Sequence, residues 1–218
     1  MGKCDHQGHR KPRHERIQRR NLELGYYLIY TDTKKTEKAY FEGLHESLPE
    51  EIKQKLQLKV VDEIKTRELV NEALEASSYD FQLRSVWIVF DRDKVTNFDN
   101  IIKKAESNNI NVGWSNPCIE IWLHAYLGGF EYTETSTQCC DSLKSKCYNL
   151  MKKYEYNKKD KRIYQHFCRY GNEENAISLA KNRHNNFLRN GVNTPSKMNP
   201  CTTIYKLVEE IRSKINND

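Results

Sequence analysis

Asp91-Arg92-Asp93 sets two carboxylates two positions apart, directly after the hydrophobic run Ser85-Val86-Trp87-Ile88-Val89-Phe90. Side chains two apart on extended backbone point the same way, so the pair can jointly hold a divalent cation. Asp32 ends a second apolar run, and if the two runs are neighbouring parallel strands it reaches the same rim. Glu120 is a fourth candidate, flanked by Ile119, Ile121 and Trp122. A buried carboxylate there is costly unless paired or metal-bound, although a helix can equally turn it toward solvent. An all-oxygen set of Asp32, Asp91, Asp93 and Glu120 suits Mg²⁺ or Mn²⁺, which keep water and bridge to phosphates. The chemistry such a set serves is phosphodiester hydrolysis, with water as the attacking group. Lys35 and Arg92 are placed to steady a scissile phosphate, and Glu37, in the first turn after the Asp32 loop, is either a further ligand or a capping residue.

Other groupings are weaker. Cys4, His6, His9 and His14 hold zinc-ligand atoms without a familiar paired spacing. Cys118 near His124 has the atoms for thiol chemistry, but a cysteine beside a Trp- and Leu-rich helix reads first as an inert core residue. Arg169 and Arg183, with His166, His184 and Arg189, form either a second phosphate-contacting surface or solvated helix faces.

The elements that must position the acidic residues follow from hydrophobic periodicity. Leu24 to Tyr30 reads as a buried strand opening into a polar loop at Thr31-Asp32-Thr33, and Lys34 to Leu48 as a helix stopped by Pro49. Leu56 to Asp62 is a second strand, followed by a helix that Thr66 can cap. Ser85 to Phe90, with β-branched and aromatic residues, is the expected central strand. A helix over 97–107, a short strand over 110–114, a break at Ser115-Asn116-Pro117 and a helix ended by Gly128-Gly129 complete the unit. Alternation of this kind predicts a mostly parallel α/β sheet with helices on both faces, its ligand crevice beyond the carboxyl ends of the strands. From Phe130 onward Lys, Asn and Tyr dominate, and helices are expected over 143–156, 160–169, 173–188 and 202–216. The expected organisation is a basic flexible tail over 1–22, the α/β domain over 23–129 and a helical appendage over 130–218.

The 218 residues suffice for one substantial core, and 30% charged residues with a mean hydropathy of −0.89 exclude a membrane protein of helical spans. Net charge is +6, of which residues 1–20 supply +5, seven basic groups against Asp5 and Glu15. Arg10, Lys11, Arg13, Arg16, Arg19 and Arg20 therefore favour a polyanion such as RNA or DNA. No signal-peptide core follows the basic start, and seven cysteines, an odd number, suggest reduced thiols; the expected location is the cytoplasm.

Four motifs in order carry a resemblance: Leu28-Ile29-Tyr30-Thr31-Asp32-Thr33-Lys34-Lys35-Thr36-Glu37 with Tyr40-Phe41; Val86 to Asp93; Ser115-Asn116-Pro117-Cys118-Ile119-Glu120-Ile121-Trp122-Leu123; and Asn199-Pro200-Cys201-Thr202-Thr203. From Leu24 onward the chain resembles the RloB-like, or AbiLii-like, family of toprim-like proteins from bacterial restriction-linked and abortive-infection loci. The resemblance implies a toprim-like Rossmannoid fold with an α-helical C-terminal appendage. It also implies Mg²⁺ ligation by Asp32, Asp91 and Asp93. The family's first motif reads Glu-Gly-Glu-Lys-Thr-Glu; here Asp32 keeps the charge one methylene shorter, Lys34 replaces a Glu, and Glu37 is the residue able to compensate. The implied activity is that of a toxic nuclease of antiphage defence, acting on RNA, tRNA included, somewhat before DNA. Its implied partner is an AAA- or ABC-like ATPase, and homo-oligomerisation is open. Two other readings stay open on the residues: a catalytically weak subunit that binds nucleic acid or the ATPase, and a nucleotide-sensing or phosphotransfer domain.

Overall fold

The structure, a computed structural model, describes residues 24–33, 35–78, 84–93 and 95–216. Five strands form one sheet in the order β2-β1-β3-β4-β5: β1 (Gly25–Thr31), β2 (Leu56–Val61), β3 (Arg84–Asp91), β4 (Asn111–Asn116) and β5 (Cys201–Thr202). The first four are mutually parallel and β5 runs antiparallel to β4. Helices lie on both faces, followed by a C-terminal helical appendage, so the architecture is the toprim-like Rossmannoid one. The chain leaves β1 for β2 on one side and then crosses to β3 on the other. The crevice between the carboxyl ends of β1 and β3 is therefore the switch point where ligands bind in such sheets.

Alternation along β1 and β3 explains the two cores. Tyr27, Ile29, Trp87 and Val89 enter one cluster, while Leu28, Tyr30, Val86, Ile88 and Phe90 enter the other. Both faces are buried, as a parallel sheet requires. On the second face lie α3 (Leu69–Ser78) and α4 (Phe98–Ser107), through Leu69, Val70, Phe98 and Ile102. The first face is covered by α1 (Thr36–Glu46), α5 (Glu120–Tyr126) and α9 (Ile204–Asn216). Leu143 and Cys147 of α6 (Ser136–Leu150), Phe167 of α7 (Ile163–Tyr170) and Ala180 of α8 (Glu173–Arg189) belong to the same cluster.

Several elements differ from the sequence expectation for local reasons. A short helix, α2 (Glu50–Lys55), starts after Pro49, whose fixed φ suits a helix start as well as a stop. Thr66 does not cap α3; its hydroxyl donates to Asp32 Oδ2 at 2.8 Å. The strand expected to end at Trp114 runs through Ser115 and Asn116, because Cys201 and Thr202 pair with them. Thr203 Oγ1 also accepts from the Trp114 backbone N–H at 3.0 Å. The helix expected from residue 143 begins at Ser136, where Thr135 and Gln138 form a capping box.

Two positions give tests of this packing. A Cβ on Gly43 would lie 2.6 Å from Tyr164 Cβ, so Gly43→Ala must push α1 and α7 apart. The gain in helix propensity is at most about 1 kcal/mol, and overpacking costs ~1–3 kcal/mol. The expected result is net destabilisation, read as a lower urea midpoint. His184 packs edge-on to Trp114 and lies 3.2 Å from Tyr205 OH; burial, then Lys206, pulls its pKa down to about 4. A histidine held neutral contributes stability that is complete above its unfolded pKa of roughly 6.5 and drains as pH falls toward about 4. His184→Gln should therefore flatten the stability profile between neutral pH and the acid range.

Candidate metal centre

Asp32 follows β1, Asp91 is the last residue of β3, Glu37 is the second residue of α1 and Glu120 the first of α5. Register places the first two at one edge, since Thr31 pairs with Val89 and Asp91 with Ser115. The Asp91–Asp93 turn is pinned from below by Arg92 N–H to Ser115 O at 2.8 Å and Asp93 N–H to Pro117 O at 3.0 Å. One cleft is lined by Asp32, Lys35, Glu37, Asp91, Asp93 and Lys158, with Cys118 in its wall.

Three of the carboxylates are held on one side by side-chain partners. Asp32 Oδ2 takes the Thr66 hydroxyl, Glu37 Oε2 takes that of Thr33, and Glu120 Oε1 accepts from Tyr156 OH at 2.8 Å and pairs with Lys158 Nζ at 2.9 Å. The other side is open: Asp32 Oδ1, Asp91 Oδ1 and Glu120 Oε2 are shut off from solvent with no hydrogen-bond partner. Burial first, and then the charges of Glu37, Glu120 and Asp32, drive the Asp91 pKa well above the usual carboxylate range. Burial pushes Glu37 up to about 7, with Asp32 and Glu120 adding to it against the Thr33 and backbone hydrogen bonds. Asp32 is raised in the same way, burial leading and Asp93 contributing. Burial also pushes on Glu120, but Lys158 and the hydrogen bonds from Cys118 and Tyr156 outweigh it, and its pKa falls below the ordinary value.

Three carboxylates, the half-buried Asp32 and Asp91 and the buried Glu37, thus line one cleft, Glu120 is buried outside its lining, and three of the oxygens are unmatched. Hard oxygen donors of this kind fit Mg²⁺ or Mn²⁺, and an opposite charge would offset the burial, and after it the mutual repulsion, that raise the pKa values of Asp32, Glu37 and Asp91. A softer donor set adjoins them. Among the described residues, ligand atoms of Cys118, Glu120 and Cys140, all buried, lie within 4.8 Å of one another.

Not every expected residue joins the cleft. Asp93 lies at its rim, exposed, with Oδ1 accepting from Ser136 Oγ at 2.8 Å. Lys35 is exposed and lines the mouth, whereas Arg92 does not line the cleft, and neither does Glu120, which is buried against Tyr156 and Lys158. Arg169 rests over the Tyr170 ring, and Arg183 donates Nε–H to Pro200 O at 3.2 Å and lies over Phe187; neither borders the cleft. Arg10, Lys11, Arg13, Arg16, Arg19, Arg20 and the Cys4, His6, His9 and His14 group lie outside the described residues. Cys118 hydrogen-bonds with Cys139 and Cys140 and is buried, which holds its thiol far above the ordinary value, and His124 Nε2 faces Cys139 O at 3.2 Å. The Cys118 thiol therefore has no support as a nucleophile, while the hydrogen bond with Cys118, and after it His124, pulls the buried Cys139 thiol down to about 6 against the effect of burial. Sequence reasoning missed Thr66, Tyr156 and Lys158; the basic run around Lys158-Lys159 was the available signal for the last.

A family model described as RloB-like protein matches residues 27–211. No curated protein and no solved structure gives a significant match. Among the described residues no helix is long and apolar enough to cross a membrane.

The crowding predicts a result that needs no substrate. Mg²⁺ or Mn²⁺ should raise Tm by mass action. Asp91→Asn should raise the Tm of the metal-free protein, because it removes a buried like charge, and abolish the metal-induced rise. A metal-induced rise of equal size in both proteins would place the cation elsewhere.

Proposed function

The chain belongs to the RloB-like protein family, and on that premise we propose that it is a divalent-metal-dependent nuclease. Asp32, Glu37, Asp91 and Glu120 would hold Mg²⁺ or Mn²⁺, with Asp93 at the rim. The observation that carries this reading is the set of three solvent-excluded carboxylate oxygens, on Asp32, Asp91 and Glu120, that face no donor. A buried carboxylate oxygen without a partner is costly, and two of the three, on Asp32 and Asp91, belong to residues that line the switch-point cleft, which argues for a positively charged ligand there.

When bound, a divalent cation supplies charge neutralisation on the phosphoryl oxygens and a more acidic water. The chain's own residues do the remaining work. Lys35, beside the first turn of α1, and the amides of that turn meet a phosphate arriving at the mouth. Thr66, Thr33 and Tyr156 fix which carboxylate oxygens remain free for ligation, and Lys158 keeps Glu120 ionised. The water oxygen bonds to phosphorus, one ester P–O bond breaks, and the leaving alkoxide takes up a proton. The antiphage setting, RNA as the preferred substrate and an ATPase partner, all implied by the family resemblance, belong to the same proposal.

Incubation of the purified chain with labelled RNA and DNA in Mg²⁺ or Mn²⁺ tests it. Cleavage should vanish with chelator and in Asp91→Asn. Tyr156→Phe, which removes a partner of a ligating carboxylate, should lose about 10–100-fold in activity or metal affinity. Cleavage retained in Asp91→Asn would overturn the mechanism. Metal and nucleic-acid binding without cleavage would assign the chain to the catalytically weak partner role instead.

A further inference from the structure

The acidic cleft does not end at its own mouth. Lys35 and Lys158 line both the cleft and an adjoining cavity, whose other walls include Lys144 and Lys159. Lys144 and Tyr156 in turn line both that cavity and a third, which extends to Tyr148 on α6. Through these shared walls the three cavities adjoin one another in order, from the carboxylates to an exposed aromatic ring, and we treat them as one groove.

Its chemistry changes along the way. Beyond the cleft the walls carry four lysines, Lys35, Lys144, Lys158 and Lys159, against one carboxylate, that of Glu155. Lys159 is exposed. The only ion pair of Lys144 among the described residues is with Asp141 at 2.8 Å, both side chains more than half exposed, so the lysine exchanges partners at little cost. Tyr148 is 47% exposed, large for a ring on an otherwise polar helix face. Lysines spaced along a groove beside an open aromatic face are the combination that binds single-stranded nucleic acid: the cations follow the phosphates and the ring stacks on a base. A duplex keeps its base faces covered and gains nothing from the ring.

We propose that this groove binds one strand of nucleic acid and leads it to the acidic centre, Lys144 and Lys159 contacting phosphates and Tyr148 stacking on an unpaired base. What happens at the centre rests on the nuclease reading; binding in the groove does not.

The test is fluorescence anisotropy of the full chain in EDTA with oligonucleotides of about 12 residues, inside the usual range of single-strand site sizes. Ribo- and deoxyribo-strands of one sequence, and the corresponding blunt duplexes, are compared. Single strands of the preferred sugar should bind more tightly than their duplex. The double variant Lys144→Glu, Lys159→Glu should weaken single-strand binding at least about ten-fold and lower the slope of log K against log salt by roughly 1.4, two phosphate contacts' worth. Tyr148→Ala should cost about five-fold or more, the low end of a lost stack. Arg169→Glu should bind like the wild type, and circular dichroism with a melting curve verifies that each variant is folded.

Unchanged affinity and slope in the lysine variant, no loss in Tyr148→Ala, or duplex binding as tight as single-strand binding would each overturn the proposal. The two readings separate cleanly. Cleavage in Mg²⁺ by variants that bind like the wild type removes the groove and leaves the nuclease, whereas the expected binding losses in a chain that never cuts keep the groove and remove the nuclease.

Discussion

Burial of several carboxylates at one point is the constraint around which the molecule is organised. Asp32, Glu37, Asp91 and Glu120 repel one another in a region from which water is largely excluded, and the raised pKa values of the first three express that cost. Left alone, such a cluster would protonate or open. Thr33, Thr66 and Tyr156 each satisfy one oxygen, and Lys158 supplies one fixed positive charge. The compensation is partial, leaving one oxygen free on each of Asp32, Asp91 and Glu120.

Holding the repulsion in place requires rigid supports, and the fold supplies them from several directions. β1 and β3 are central strands packed on both faces, so the ends that bear Asp32 and Asp91 cannot splay without disturbing two cores. Behind Glu37, Tyr40 OH meets Tyr126 OH at 2.7 Å, Tyr126 donates to Glu173 Oε2 at 2.9 Å, and Arg212 closes on Glu173 Oε1 at 2.6 Å. This chain of hydrogen bonds ties α1, α5, α8 and α9 together. Because its members are satisfied, it rigidifies the layer from which Glu37 and Glu120 project.

The C-terminal half therefore does more than cover the sheet. β5 extends β4 at the edge that leads to Glu120, and the segment after α6 brings Tyr156 and Lys158 to the Glu120 carboxylate. The same segment provides Lys159 outside the cleft, beside Lys144 of α6.

Much of this was legible in the residues. Continuous apolar runs at 24–30 and 85–90, each followed closely by an Asp, mark two buried parallel strands whose carboxyl ends carry charge, and Glu120 in an apolar context marks a carboxylate that must be matched. One boundary could not be read locally: Ser115 and Asn116 are strand because Cys201 and Thr202 pair with them, and a two-residue strand has no periodicity to read. The role of Thr66 was hidden for a similar reason, since a threonine before a helix is a cap until Asp32 is found beside it. Local periodicity and residue chemistry determined the layers and named the acidic side chains. Only the tertiary structure decided that Glu37 is buried with Asp91 while Asp93 stays at the rim, and that Arg92 is left outside. It also decided that Lys158, 38 positions beyond its partner, neutralises Glu120. Those outcomes depend on electrostatic neighbours brought together across the fold, a distance that no spacing along the chain encodes.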